Sequence, residues 1–264
     1  MNSIYLDNKI CGAIDQLVKY FDDGIFNKEN VEVVFKIYDQ SYLYYKRTLE
    51  KHGIKYVAFK SFVKLDLSKY KVIFYLFNAQ SNCRIVAYRE AVHIFVTHGE
   101  SNKASSIKPI IRIYDYVICA GQSGIDRFLQ SGIFDNHDVE KSRLIRLGDT
   151  FIGQPKFYKE LNPKQSSILY APTWEGGVKE ENYSSIEKSL LSFKLITNFA
   201  KDHNINKIII QPHPNTGHRN KSYIKYLQIG IEYFLNNNLQ ICIYRYKKEK
   251  FDFIFRIKHK FNKK

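Results

Sequence analysis

A chain of 264 residues, 44% hydrophobic and 15% aromatic, can bury one large core or two small ones, and its longest apolar runs, such as residues 72–77, are too short for a membrane-spanning helix. Its net charge of +15 and pI of about 9.4 favour polyanionic partners: nucleic acid, anionic lipid headgroups or a phosphate-rich polymer. The opening residues 1–7 have no basic segment leading into an apolar one, so no secretory leader is expected; Cys11, Cys83, Cys119 and Cys242, far apart and without a C-x-x-C pair, read as reduced, mostly buried thiols of a cytoplasmic protein.

Along the chain, strand-like runs are expected at 31–38, 55–59, 71–77, 93–97, 116–120, 143–147, 167–170, 207–210 and 239–244. Helical patterns at 13–21, 42–52 and 125–130 fall between them, which is the βαβ rhythm of parallel sheets. The clearest helix is expected to open at the capping-box pattern Ser184-Ser185-Ile186-Glu187, with Ile186, Leu190, Phe193, Ile196 and Phe199 on one stripe, and to connect the strands at 167 and 207. Residues 155–164, bracketed by Pro155 and Pro163 and without a clear period, form the best linker candidate. The fold class is therefore α/β with two Rossmann-like domains, 1–155 and 166–264.

Four loops carry chemistry-bearing residues. His98-Gly99-Glu100-Ser101-Asn102-Lys103 follows a strand and joins an imidazole, a glycine that lets a ligand approach the backbone, and a lysine that suits phosphate. Ala120-Gly121-Gln122-Ser123-Gly124 leads a strand into a helix, whose N-terminal amides around Ser123 could receive an anion; a plain connection is the competing reading. Tyr170-Ala171-Pro172-Thr173-Trp174 ends the first strand of the second domain and holds the chain's one tryptophan, which alone would suggest core packing. Pro212-His213-Pro214 fixes an imidazole between two prolines, just past another strand. Ligands of open α/β sheets bind beyond the carboxyl ends of strands, so the His98 and His213 loops are expected to face one cleft between the domains. The end of the chain alternates basic and aromatic residues: 240–264 carry nine Lys or Arg against Glu249 and Asp252, a net +7. That composition suits a surface for anionic lipid or polymer, a basic edge strand or a disordered end.

In this order, His98-Gly99 with Lys103, then Tyr170–Trp174, then Pro212-His213-Pro214 resemble the CDP-glycerol:poly(glycerophosphate) glycerophosphotransferase family, polymerases of teichoic acids and related bacterial capsules. The resemblance covers roughly residues 90–220. It implies a glycosyltransferase-B-like architecture, an N-terminal acceptor-side domain and a C-terminal domain on the nucleotide side of the donor. It also implies transfer of an alditol phosphate from a CDP-alditol donor to a hydroxyl of an anionic polymer or lipid-linked acceptor, with peripheral contact at the inner face of the membrane. Under it, His98 is the candidate base and His213 stabilises charge on the diphosphate, helped by Gly99, Lys103 and Ser123, while Thr173, Trp174 and Pro214 shape the donor pocket. Neither a cofactor nor a metal is implied. The sequence departs from the family at Glu175 and Gln211, where arginines are usual, and lacks a D-x-S-S segment after His213, so the second domain reads as shortened. A nucleotide-sugar glycosyltransferase of the same architecture and a non-catalytic, polyanion-binding relative are the alternatives; a nucleic-acid partner is not expected, because no such motif accompanies the charge.

Overall fold

The structure, a computed structural model, describes residues 1–97, 99–101, 103–148 and 166–244. It divides the chain into two compact units, Met1–Pro155 and Lys156–Lys264. The candidate linker at 155–164, His98 and the basic-aromatic residues 245–264 lie outside the described residues.

The first unit is built on seven strands: β1 (Asn2–Leu6), β2 (Val31–Lys36), β3 (Tyr56–Phe59), β4 (Val72–Tyr75), β5 (Val92–Phe95), β6 (Tyr116–Cys119) and β7 (Leu144–Arg146). All pair in parallel, in the order β3-β2-β1-β4-β5-β6-β7, so the order reverses between β1 and β4. Helices α1 (Gly12–Asp22), α2 (Tyr42–Lys51), α3 (Cys83–Val86), α4 (Gln122–Gln130) and α5 (Asn136–Glu140) lie in the connections. Successive strand residues point to opposite faces, and here both faces are covered. Ile4 and Leu6 of β1 pack with Leu17 and Leu49, while Tyr5 between them joins Tyr75, Phe95 and Tyr114 on the other side. That two-sided burial makes the strands read as continuous apolar runs.

The second unit runs β8 (Ile168–Tyr170), α6 (Leu191–Asp202), β9 (Lys207–Ile210), α7 (Ser222–Asn236), β10 (Gln240–Ile243), with three parallel strands ordered β10-β9-β8. Its core joins Phe193 and Ala200 of α6, Ile208 and Ile210 of β9, and Leu227, Ile231 and Phe234 of α7. All nine expected strands are present; β1, α3, α5 and α7 are additional. The helix expected to open at Ser184 opens instead at Leu191, because Leu190 takes a left-handed conformation (φ 58°) and Ser184 donates its hydroxyl to the Thr173 carbonyl at 2.7 Å. The stripe expected to end at Phe199 is corrected too: Phe199 is exposed and stacks on His203, and the buried face is Phe193, Thr197 and Ala200. All four cysteines are free thiols, but only Cys119 is buried, which corrects the expectation that most would be. Among the described residues, no helix is long and apolar enough to cross a membrane.

Candidate functional site

In the second unit, β8 and β9 lie side by side in register, Tyr170 opposite Ile210, so the loops that follow them emerge at the same edge. The pairing continues one step further, Gln211 N–H donating to the Tyr170 carbonyl at 2.9 Å. Between the loops is a pocket of about 320 Å³ lined by Ala171, Pro172, Thr173, Gln211, Pro212, His213 and Pro214. Ala171, Pro172 and Thr173 of one motif and Pro212–Pro214 of the other, far apart in sequence, thus line one cavity at the edge where ligands of such sheets bind.

Trp174 is half-buried beside this pocket rather than in the core. Its ring stacks on His213, centroids 5.8 Å apart and planes 12° from parallel, and meets His218 edge-on at 6.2 Å. The Asn215 backbone N–H donates to His213 Nδ1 at 3.1 Å. A nitrogen that accepts cannot also carry the proton of a neutral imidazole, so Nε2 bears it and is a donor. A donor on a half-buried ring, held between prolines and against an indole, suits a phosphate oxygen.

Glu175 holds this arrangement. It is fully buried, and its carboxylate accepts backbone N–H bonds from Gly217 (3.0 Å), Arg219 (3.0 Å) and Asn220 (2.9 Å). Arg219 answers by donating its guanidinium to the carbonyls of Glu175 (2.8 Å) and Gly176 (3.1 Å). Burial alone would raise the Glu175 carboxyl, but the backbone donors overrule it and hold the group below its usual range. A position that reads in sequence as a lost positive charge is therefore the latch between the two loops of the pocket.

In the first unit, the loop after β5 turns through Thr97 (φ 66°) and Gly99 (φ 112°), and Gly99 N–H donates to Thr97 Oγ1 at 3.1 Å. Lys103 is half-buried and its N–H donates to Ser101 Oγ at 3.4 Å. Glu100, which sequence reasoning passed over, points to the N-terminus of α4: one oxygen accepts from Ala120 N–H (2.7 Å), the other from Arg127 Nη2 (2.8 Å). Gly124 is needed there, since a Cβ would fall 2.5 Å from Glu100 Oε2. Glu100 thus places a carboxylate, paired with Arg127, against the turn that leads into α4.

The chain is similar in fold to HepE of Anabaena, solved in complex with UDP and glucose: 11% identity over 93% of this chain and 70% of that one, TM-score 0.50. It is likewise similar to a Listeria monocytogenes protein assigned as a UDP-N-acetylglucosamine 2-epimerase: 10% identity over 95% of this chain and 70% of that one, TM-score 0.50. No protein-family model matches the chain, and no curated protein matches it in sequence. At such identities the likeness concerns the fold, which is α/β with Rossmann-like units of the glycosyltransferase-B kind.

Proposed function

We propose that the chain is a group transferase acting on a nucleoside-diphosphate-activated donor, with CDP-glycerol or a related CDP-alditol as the preferred one. The observation that carries this reading is the β8/β9 pocket, where His213 lines the wall and stacks on Trp174 beside it, an imidazole and an indole placed together at the carboxyl edge of the sheet. In the reaction, a hydroxyl of the polymer or lipid-linked acceptor attacks the phosphorus that bears the alditol. The bond from that phosphorus to the bridging oxygen breaks, and CMP leaves with the oxygen. His98 takes the hydroxyl proton, Lys103 beside Gly99 balances charge on the acceptor side, and His213 stabilises charge on the departing phosphate. Thr173, Trp174 and Pro214 wall the nucleotide side. The basic residues of 245–264 favour work beside an anionic membrane.

A second reading, transfer of a sugar from a nucleotide sugar, is favoured by the likeness to a protein solved with UDP and glucose. The products distinguish the two: a phosphotransferase releases CMP from CDP-glycerol, whereas a glycosyltransferase releases UDP from UDP-glucose. Purified protein with each donor and a polymer primer, analysed by chromatography of released nucleotide, is expected to yield CMP. Release of UDP alone would select the second reading, and release of neither would overturn both.

A further inference from the structure

The carboxyl edge of the first sheet carries a cationic cluster that the donor pocket does not use. Lys9 follows β1, Lys36 closes β2, and Arg84 lies in α3, beyond β4. Lys9 Nζ and Lys36 Nζ each sit 5.2 Å from the centre of the Tyr38 ring. Lys36 Nζ is also 5.2 Å from the centre of the Phe62 ring, which the Arg84 guanidinium covers at 5.0 Å. Cation and ring thus alternate over two platforms. Among the described residues none of these three cations pairs with a carboxylate. Asp7, the acid beside them, accepts instead from the hydroxyls of Tyr38 (2.5 Å) and Tyr5 (3.5 Å). Burial and Asp7 push the Tyr38 phenol up to about 12, so it stays a neutral donor.

Like charges gathered with a single acid between them repel one another, and the repulsion is relieved when they share an anion. Position strengthens the case. The strand order reverses between β1 and β4, and the crevice at such a reversal is where open α/β sheets bind ligands. In the loop leaving β4, both side-chain polar atoms of Asn78 are buried with no hydrogen-bond partner. Buried amides are normally satisfied, so this one has both a donor and an acceptor open.

We propose that this edge binds a phosphate-bearing polyanion, with Lys9, Lys36 and Arg84 on successive phosphates and Asn78 on an oxygen at the reversal point. Cations spread over two rings suit several phosphates in a chain rather than one. The proposal rests on the transferase reading only for equating this polyanion with the acceptor.

The test is direct binding of a fluorescently labelled oligomer of glycerol phosphate to the full chain by anisotropy, without donor. Each of Lys9→Ala, Lys36→Ala and Arg84→Ala should weaken binding about fivefold and the triple variant at least about fiftyfold, at roughly 1 kcal/mol per basic residue. Lys19→Ala and Lys46→Ala, which remove half-buried helix lysines paired with Asp23 and Glu50, should stay within about twofold. Lys36 is half-buried; should its variant not fold by circular dichroism, the Lys9→Ala/Arg84→Ala pair, both exposed, carries the test. Binding of the triple variant within about twofold of wild type, or equal losses in the control lysines, would overturn the proposal. Tighter, equally variant-sensitive binding to phosphatidylglycerol vesicles would also overturn it, reassigning the edge to a membrane. Because binding is read without turnover, failure of the transferase reading would leave this result standing, and the reverse holds too.

Discussion

Replacing Glu175 tests whether the β8/β9 pocket depends on an internal latch. In Glu175→Ala the buried Gly217 N–H loses its acceptor, at about 1–3 kcal/mol, while the Arg219 and Asn220 amides, nearer the surface, regain water and lose about 0.5–1.5 kcal/mol each. The second unit should therefore lose about 2–6 kcal/mol. Glu175→Gln, which keeps one acceptor but turns an amide NH₂ toward a donor, should lose about 1–2 kcal/mol. Urea unfolding followed by tryptophan fluorescence suits the measurement, since Trp174 is the chain's one tryptophan and adjoins the latch, so the signal reports on this unit alone. The carboxyl is held below its ordinary 4.5, so its contribution is complete above that pH and disappears as pH falls through the lower folded value. The Gln variant should lack that acid-sensitive component. An unchanged urea midpoint in Glu175→Ala would refute the latch.

Three further outcomes are expected. His93 is buried neutral, its Nε2 donating to the Tyr88 carbonyl (2.7 Å) and its Nδ1 accepting from Tyr75 (2.8 Å), and burial holds its pKa below 6.5. Stability of the first unit should thus be full above about pH 6.5 and fall on acidification by up to about 1.4 kcal/mol per pH unit, a slope that His93→Gln should flatten and that stabilisation by acid would contradict. Asp138, nearly fully buried, accepts from Arg112 (2.5 Å) and Arg143 (2.9 Å); these partners outweigh burial and pull its carboxyl down to about 2. Asp138→Asn should destabilise the first unit by about 2–3 kcal/mol at neutral pH, less than for a fully buried pair because both arginines reach solvent, and calorimetry showing no change would count against this. Gly230 in α7 faces Phe193, whose ring would lie 2.2 Å from an added Cβ. Although alanine favours helix by about 1 kcal/mol, overpacking against a fully buried ring that cannot swing aside costs about 1–3 kcal/mol, so Gly230→Ala should destabilise the second unit by up to about 2 kcal/mol net; a raised urea midpoint would contradict it.

The sheets were legible because both faces of the first are covered, leaving apolar runs that need no partner to be recognised. β1 escaped notice because only Ile4, Tyr5 and Leu6 of its five residues are apolar, although it is central and has neighbours on both sides. α6 was misplaced at its start because Leu190 adopts a left-handed conformation that the hydrophobic spacing does not encode. Thr173, Trp174 and His213 could be named from their motifs, whereas their meeting at one pocket is a consequence of β8 and β9 pairing. Glu100, from the loop after β5, lies against the turn before α4 and accepts from Ala120 N–H, a contact between two connections that no linear pattern encodes. The cationic edge was invisible for a related reason: Lys9, Lys36, Phe62 and Arg84 come from four separate places in the sequence and form no linear pattern.

If the diphosphate of an activated donor binds at the pocket that His213 lines beside Trp174, titration of CDP followed by Trp174 fluorescence will report it. A hydrogen bond to a charged phosphate is worth about 1.5–3 kcal/mol, so His213→Ala should weaken a saturable wild-type signal by about 10- to 150-fold. No saturable change with wild-type protein, or an affinity unaltered in His213→Ala, would contradict the account.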